Sequence, residues 1–108
     1  MAIHIARAEI HEADTIAAMV GDLLHDIMAA VNDKVFGFDH ADTVGRACAW
    51  MKEGLYTVLL AKPDSKPVGF LSLHESYALY TEGVYGTIPE FYVRSAYRSQ
   101  RVGSALLN

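Results

Sequence analysis

Three arginines stand close together late in the sequence, at Arg94, Arg98 and Arg101, and Gly103 follows them. An aromatic and β-branched run typical of a strand precedes them, and an apolar run that begins a helix comes after. The N–H groups of such a loop and of a helix N-terminus lack partners inside the helix, and the helix dipole adds positive potential. Gly103 leaves room for close approach, while Arg98 or Arg101 adds charge. The stretch therefore predicts a pyrophosphate site, with a basic turn that binds nothing as the alternative.

A carboxylate lies just before this basic stretch. Glu90 belongs to the strand predicted for residues 87–93, where it could take a proton from a bound molecule directly or through water. Because side chains alternate along a strand, Glu90 and Tyr92 share one face while Phe91 and Val93 share the other. Glu90 is therefore a candidate general base, and the alternative is a solvated or structurally paired carboxylate.

Hydrophobic spacing predicts the elements that must hold these residues in place. Apolar residues recur at helical spacing from Ile16 to Met28, which makes this the clearest helix. Asp42 could cap a second helix, which Gly54 ends. The predicted strands and helices follow the order β-α-α-β-β-β-α and lie at residues 3–8, 16–28, 42–53, 55–61, 68–74, 87–93 and from about 103. Two helices and a hairpin thus lead to the strand that carries Glu90.

The composition limits the classes of protein to which the chain can belong. With 108 residues, 52% of them hydrophobic, it has enough apolar material for one core and is too short for two domains. Its apolar runs are broken before the ~20 residues of a membrane helix. A net charge of -4 gives no general attraction to nucleic acid, and one cysteine excludes an internal disulfide. We therefore expect a single soluble, cytoplasmic domain over residues 1–108, with no metal and no nucleic-acid or membrane partner.

The basic stretch resembles motif A of the GNAT superfamily of N-acetyltransferases. The motif reads Gln or Arg, two residues, Gly, one residue, then Gly or Ala. The residues that match the motif and its flanks are Val93, Tyr97, Arg98, Gly103, Ser104 and Leu106. Arg101 departs from it, because it stands where the first Gly usually does, and a positive φ there would strain an arginine modestly. The order of elements, the hairpin and the amphipathic first helix are also similar to the N-terminal two-thirds of that fold.

The resemblance implies an α/β (α+β) fold with a mixed, mainly antiparallel sheet flanked by helices, without the family's C-terminal β-α-β-β part. It also implies acetyl-CoA as co-substrate. The residues implied in binding the pyrophosphate are Arg98, Ser99, Gln100, Arg101, Val102, Gly103 and Ser104. Phe91, Tyr92 and Val93 would meet the pantetheine arm and thioester through their backbones, at a strand edge left free by a local irregularity. Pro89 fits such an irregularity, or simply begins the strand.

The activity implied by the resemblance is direct acetyl transfer to a primary amine, with Glu90 as the base and no covalent intermediate. His74 and Glu75 are weaker candidates for that base. The residues implied at the acceptor pocket are Asp26, Tyr77, Tyr80 and Glu82, with Asp22, His25 and Tyr85 nearby. Acidic and aromatic groups suit an ammonium ion. The family's usual general acid, a tyrosine, lies in the part that this sequence lacks.

Three classes of function follow from the resemblance. The first is an N-acetyltransferase acting on a small-molecule or peptide amine. The alternatives are a non-catalytic acetyl-CoA-binding module and an inactive, truncated scaffold. A homodimer is also expected, because Phe91, Val93, Leu106 and Leu107 would have no later segment to cover them and an open apolar strand edge is a pairing template.

Overall fold

The computed structural model of the protein describes residues 3–32, 37–77, 79, 84–98 and 100–107. Its strands and helices are β1 His4–Arg7, α1 Ala13–Val31, α2 His40–Lys52, β2 Thr57–Lys62, β3 Gly69–Tyr77, β4 Val84–Thr87, β5 Phe91–Val93 and α3 Val102–Leu107. Short 3-10 helices, Ile10–Glu12 and Ser95–Tyr97, precede α1 and follow β5. The predicted order of elements is confirmed, except that the last predicted strand is shortened to β5 and an additional strand, β4, lies mostly in the segment predicted to be a loop. None of the helices within these ranges has the length and apolar composition needed to cross a membrane.

The ends of some elements differ from the predicted ones for local reasons. α2 begins at His40 because Asp39, rather than Asp42, is its N-cap, and the Asp39 side chain accepts a hydrogen bond from the N–H of Asp42 at 2.9 Å. Gly54 follows the helix with a φ of 75°, the left-handed conformation that ends many helices. β3 continues to Tyr77, past the predicted end at residue 74, because its last residues pair with β4. Tyr77 therefore lies on a strand rather than in the predicted loop.

The strands form one antiparallel sheet with β3 at its centre. β1 pairs with β2, and β2 pairs with β3. Residues 69–71 of β3 pair with both β2 and β5, so these two strands lie on opposite edges of β3. β4 pairs with the last part of β3, on the same edge as β5. The mainly antiparallel sheet implied by the resemblance is confirmed.

The break between β4 and β5 is a bulge. His74 pairs with Thr87, and Leu71 pairs with Phe91, so the chain advances three residues along β3 but four along the opposing strand. An extra residue on one side is the defining feature of a β-bulge. Pro89 lies inside the break, where its missing N–H removes no hydrogen bond from the ladder. The predicted irregularity at Pro89 is therefore present.

Helices cover both faces of the sheet, and each face has its own core. One core lies against α1 and contains Ile16, Met19, Val58, Leu60, Phe70 and Tyr92. The other lies against α3 and contains Ala61, Val68, Leu71, Val93, Val102 and Leu106. Successive residues of β5 alternate between the two cores, as the period of a strand requires.

The second core covers apolar residues on which the expectation of a homodimer rested. Val93 and Leu106 are buried among residues of β2, β3 and α3, and Phe91 packs against the same cluster. Leu107 is exposed. The chain itself thus buries much of the surface that a second copy was expected to cover, and dimerisation stays a prediction with a weaker basis.

Candidate functional site

A cleft runs along the outer edge of β5, beside α1 and the start of α3. It has a volume of about 360 Å³ and is lined by Leu23, Asp26, Phe91, Tyr92, Val93, Arg98 and Gly103. We call it the β5 cleft. It brings the β5 residues predicted to meet the pantetheine arm together with Arg98 and Gly103 of the basic stretch.

On the edge of β5 that faces this cleft, backbone N–H and C=O groups point away from the sheet. The N–H of Arg94 donates to the carbonyl of Val68 at 2.8 Å, so the backbone at Arg94 points toward β3. Alternate residues of an antiparallel strand point their backbone groups to opposite sides, so those of Phe91 and Val93 point away from β3. No strand pairs with this edge within the described part of the chain. The Val93 carbonyl there accepts a hydrogen bond from Nε of Arg98 at 2.8 Å.

In the loop after β5, Arg101 adopts a backbone conformation that is typical of glycine. Its φ is 63°, in the left-handed region, at the position where the family motif has its first Gly. Gln100 and Ser104 are exposed, whereas Val102 is fully buried and anchors the start of α3 in the core. The first N–H groups of α3 have no partner within the helix. Ser99 lies outside the described residues.

Two aspartates of α1 hold two arginines of the basic stretch. Nη2 of Arg98 lies 2.8 Å from Oδ2 of Asp26, and its guanidinium carbon lies 5.6 Å from the centre of the Tyr92 ring. The hydrogen bond to Asp26 raises the pKa of Arg98. Nη1 of Arg94 lies 2.8 Å from Oδ2 of Asp22, while Arg94 Nε is buried without a protein partner. These ion pairs tie the loop after β5 to α1.

A second cavity opens on the other side of the bulge, enclosed by α1, α2 and the sheet. Its volume is about 260 Å³. We call it the Glu90 cavity, and it is lined by Ile16, Val20, Leu24, Gly37, Phe38, Thr43, Arg46, Ala47, Trp50, Tyr56, Val58, Phe70, Ser72 and Glu90. The predicted base therefore faces a pocket large enough for a small molecule.

Ser72 fixes Glu90 in the wall of this cavity. Its hydroxyl donates to the Glu90 carboxylate and accepts the N–H of Glu90 at 3.1 Å. The N–H of Ser72 in turn donates to the Glu90 carbonyl at 3.0 Å. Ser72 is only 1% exposed, so these contacts satisfy a polar group that would otherwise be costly to bury. Sequence reasoning missed Ser72, although a serine inside the apolar run of β3 is a visible signal.

Aromatic side chains from α2 and from the residue just before β2 form another wall. The ring of Tyr56 stacks on His74 at 5.6 Å between centres and lies 5.0 Å from Trp50. The pKa of Tyr56 is raised, first by burial and then by the negative charge of Glu90. Trp50 and Tyr56 were also missed by sequence reasoning, since nothing in the local pattern tells which face of α2 meets the sheet.

The two residues predicted for the acceptor pocket that the structure describes, Asp26 and Tyr77, lie apart. Asp26 lines the β5 cleft, where it pairs with Arg98. Tyr77 is exposed at the end of β3, where its hydroxyl donates to Glu75 at 3.3 Å. Neither residue lines the Glu90 cavity. Tyr80 and Glu82 lie outside the described residues.

A bulged antiparallel sheet with an open strand edge and a basic loop before a short helix is the framework of a GNAT-type acetyltransferase. Residues 22–108 match the model of the Acetyltransferase (GNAT) family. The chain belongs to this family. A search of curated protein sequences gives no match.

Solved structures share the fold at low sequence identity. An integron cassette protein from the mobile metagenome of Cole Harbour Salt Marsh is 18% identical with a TM-score of 0.81, over 95% of this chain and 64% of its own. A ribosomal-protein-alanine N-acetyltransferase from Brucella melitensis biovar Abortus 2308 is 18% identical with a TM-score of 0.73, over 99% of this chain and 67% of its own. A predicted acetyltransferase with acetyl-CoA from Clostridium acetobutylicum is 11% identical with a TM-score of 0.77, over 98% of this chain and 69% of its own. The chain thus spans roughly two thirds of the length of these proteins.

Proposed function

We propose that this chain transfers an acetyl group from acetyl-CoA to a primary amine, which attacks the thioester directly. One observation carries the proposal. Glu90, whose carboxylate lines the Glu90 cavity, directly precedes Phe91, whose backbone faces the β5 cleft. A base in one pocket and a strand edge in the other therefore adjoin at the bulge.

The β5 cleft is the proposed site of acetyl-CoA. The backbone groups of Phe91 and the N–H of Val93 suit the amides of a pantetheine arm, which would lie against β5 like an added strand. Arg98, Arg101 and the N–H groups around Gly103 would bind the pyrophosphate. Family membership and the solved structure of a fold relative with acetyl-CoA support this assignment.

The Glu90 cavity is the proposed site of the amine. The Glu90 carboxylate takes a proton from the ammonium group, directly or through water, and frees the nitrogen lone pair. The amine then attacks the thioester carbon, so a C–N bond forms while the C–S bond breaks, and the nitrogen gives up a second proton to the departing thiolate or to water to leave the neutral amide. CoA leaves as a thiolate with the electron pair of that bond. No general acid is assigned to a residue of this chain.

Calorimetric titration with CoA tests the proposed cofactor site. We expect binding by the wild type and a loss of at least about ten-fold in affinity for Gly103→Glu, because the new carboxylate repels phosphate and a side chain at Gly103 meets the Phe91 ring at 3.4 Å. Gly45→Glu on α2 adds the same charge where a side chain has open space, so it should bind CoA as the wild type does. Equal affinity in both variants, or no binding by the wild type at millimolar CoA, would contradict the cofactor assignment.

Release of the CoA thiol in the presence of an amine separates the enzyme from the alternatives. Thiol release that depends on both acetyl-CoA and the amine indicates acetyl transfer. CoA binding without transfer to any amine would indicate a non-catalytic acetyl-CoA-binding module.

A cytoplasmic location and a homodimer are further parts of the proposal, and light scattering over a dilution series tests the dimer.

A further inference from the structure

We infer that the amine acetylated by this chain is a monocation with an apolar body of about aromatic size, such as an arylalkylamine. This inference rests on the proposed function, because it names the substrate class of the Glu90 cavity. It excludes polyamines and other acceptors that carry several positive charges.

Most of the surface of the Glu90 cavity is hydrocarbon. Apolar side chains of α1, α2, β2 and β3 line it, and the aromatic ones are Phe38, Trp50, Tyr56 and Phe70. Small-molecule sites are typically lined by such side chains, with a few polar groups that set orientation. At about 260 Å³ the cavity is smaller than the pockets that hold drug-sized ligands. The ligand it fits is therefore small and largely apolar.

The described wall of the cavity offers a place for only one positive charge. Among the lining residues that the structure describes, Glu90 is the single carboxylate, and it lies at the sheet, next to the proposed position of the thioester. Nothing else along the described wall would compensate a second ammonium group. A buried charge without a partner is costly, so a second charge would have to stay outside in water.

Arg46 adds a repulsive element on the α2 side. It lines the cavity, and its Nη2 donates to Oγ1 of Thr43 at 3.3 Å. No carboxylate of the described residues lies within 4.0 Å of its guanidinium. Its charge therefore acts on whatever enters, and a ligand with a second positive charge would be rejected by like-charge repulsion.

The aromatic wall suits the body of such a ligand. Trp50 and Phe38 each keep a substantial exposed surface, although both line the cavity. Tyr56 lies between Trp50 and His74 and presents a third ring. Aromatic pairs gain more than their buried area alone provides. An aromatic or bulky alkyl body would cover these rings from water.

Trp50 is the only tryptophan of the chain, so its fluorescence reports occupancy of the cavity without any reaction. The probes are 2-phenylethylamine, methylamine and spermidine, each added with and without CoA. We expect a saturable change in Trp50 fluorescence with 2-phenylethylamine at concentrations at least about ten-fold below those needed for methylamine or spermidine. The same ranking is expected in kcat/KM for thiol release from acetyl-CoA.

Two variants with matched controls sharpen the test. Arg46→Glu should improve kcat/KM for spermidine by about ten-fold or more relative to 2-phenylethylamine, while Lys66→Glu, which makes the same charge change in the turn after β2, should not. Phe38→Ala should weaken binding of 2-phenylethylamine several-fold and leave methylamine unchanged, whereas Ile10→Ala, outside the cavity, should change neither.

The outcomes separate this inference from the proposed function. Preference for spermidine, or a methylamine response as strong as that of 2-phenylethylamine, would overturn the substrate class even if acetyl transfer occurs. Selective binding of 2-phenylethylamine in a protein that neither binds CoA nor transfers acetyl would support the ligand class of the cavity and refute the acetyltransferase proposal.

Discussion

Arg98 and Asp26 form an ion pair inside the cleft proposed for acetyl-CoA, with Nη2 of Arg98 2.8 Å from Oδ2 of Asp26. The same guanidinium donates through Nε to the carbonyl of Val93 at 2.8 Å. Arg98 thus occupies a backbone acceptor on the open edge of β5 while a carboxylate of α1 neutralises it. A phosphate that enters the cleft must compete with Asp26 for this arginine.

Asp26→Asn should therefore tighten the binding of CoA, by about two- to ten-fold at low salt, because a competing and repelling negative charge is removed. Calorimetry at two ionic strengths measures the effect, which should shrink as salt screens the charges. Asp22→Asn is the matched control, since Asp22 pairs with Arg94 and does not line the β5 cleft. Weaker binding in Asp26→Asn would mean instead that Asp26 holds Arg98 in its phosphate-binding position.

The left-handed conformation of Arg101 predicts a stability difference between two variants. Arg101→Gly and Arg101→Ala remove the same charge, but only glycine adopts a φ of 63° without strain. We expect Arg101→Gly to be more stable than Arg101→Ala by about 1 kcal/mol in urea denaturation. Equal stabilities would show that the loop relaxes around the alanine.

Glu90→Gln should lower the rate of acetyl transfer by about 100-fold near pH 6 and by less at high pH, where more of the amine is already neutral. Its affinity for CoA should change little, because Glu90 lies outside the β5 cleft. The pH–rate profile of Glu75→Gln, an exposed carboxyl on β3, should match that of the wild type. An unaltered profile in Glu90→Gln would show that Glu90 is not the general base. Poor folding of that variant would indicate instead that Glu90 stabilises the fold through its contacts with Ser72.

The ionisation of Tyr56 offers a test of the Glu90 cavity that needs no ligand. Burial raises the pKa of Tyr56 above its ordinary value of about 10, and the negative charge of Glu90 adds to the shift. Glu90→Gln should therefore lower the pKa of Tyr56 in part, leaving it above the ordinary value because burial remains. A pH titration followed by absorbance near 295 nm measures tyrosine ionisation, and the part of the change that is lost in Tyr56→Phe gives the pKa of Tyr56. Glu75→Gln, outside the cavity, should leave it unchanged.

Features with a local cause could be predicted from the sequence. The helix at Ile16 was predictable because a buried face repeats with the turns of a helix, and the break at Pro89 because proline lacks a donor for the ladder. The family motif has a glycine at the position of Arg101, which marked this residue as one where a positive φ would cause strain, and its φ is positive. Each of these depends on a few neighbouring residues.

Contacts across the fold could not be predicted in the same way. Arg98 and Asp26 are 72 residues apart, and their meeting depends on how α1 lies against β5. The aromatic wall depends on which face of α2 turns toward the sheet and on how the residue before β2 is placed, so Trp50 and Tyr56 carried no signal by spacing. Tertiary packing decides such contacts, and the pocket that we propose for the amine is built largely from them.

The ion pair between Glu12 and Lys62 predicts a specific pH dependence of stability. Nζ of Lys62 lies 2.7 Å from Oε2 of Glu12, and the side chains are 24% and 15% exposed, respectively, so the pair is partly shielded from water. It joins the start of α1 to the end of β2. The hydrogen bond from Lys62, followed by that from the backbone N–H of Glu9, lowers the pKa of Glu12 below its ordinary value of 4.5.

A carboxyl whose pKa is lower in the folded than in the unfolded state stabilises the protein fully above the unfolded value, and this contribution is lost as the pH falls through the folded value. Glu12→Gln should therefore reduce the free energy of unfolding by about 1 to 2 kcal/mol at pH 7. The difference from the wild type should decrease below about pH 4.5 and vanish once Glu12 is protonated in both states. Urea denaturation at several pH values measures it, with Asp64→Asn in the exposed turn after β2 as control. A difference that stays constant from pH 7 to pH 3 would show that the charge of Glu12 does not stabilise the fold.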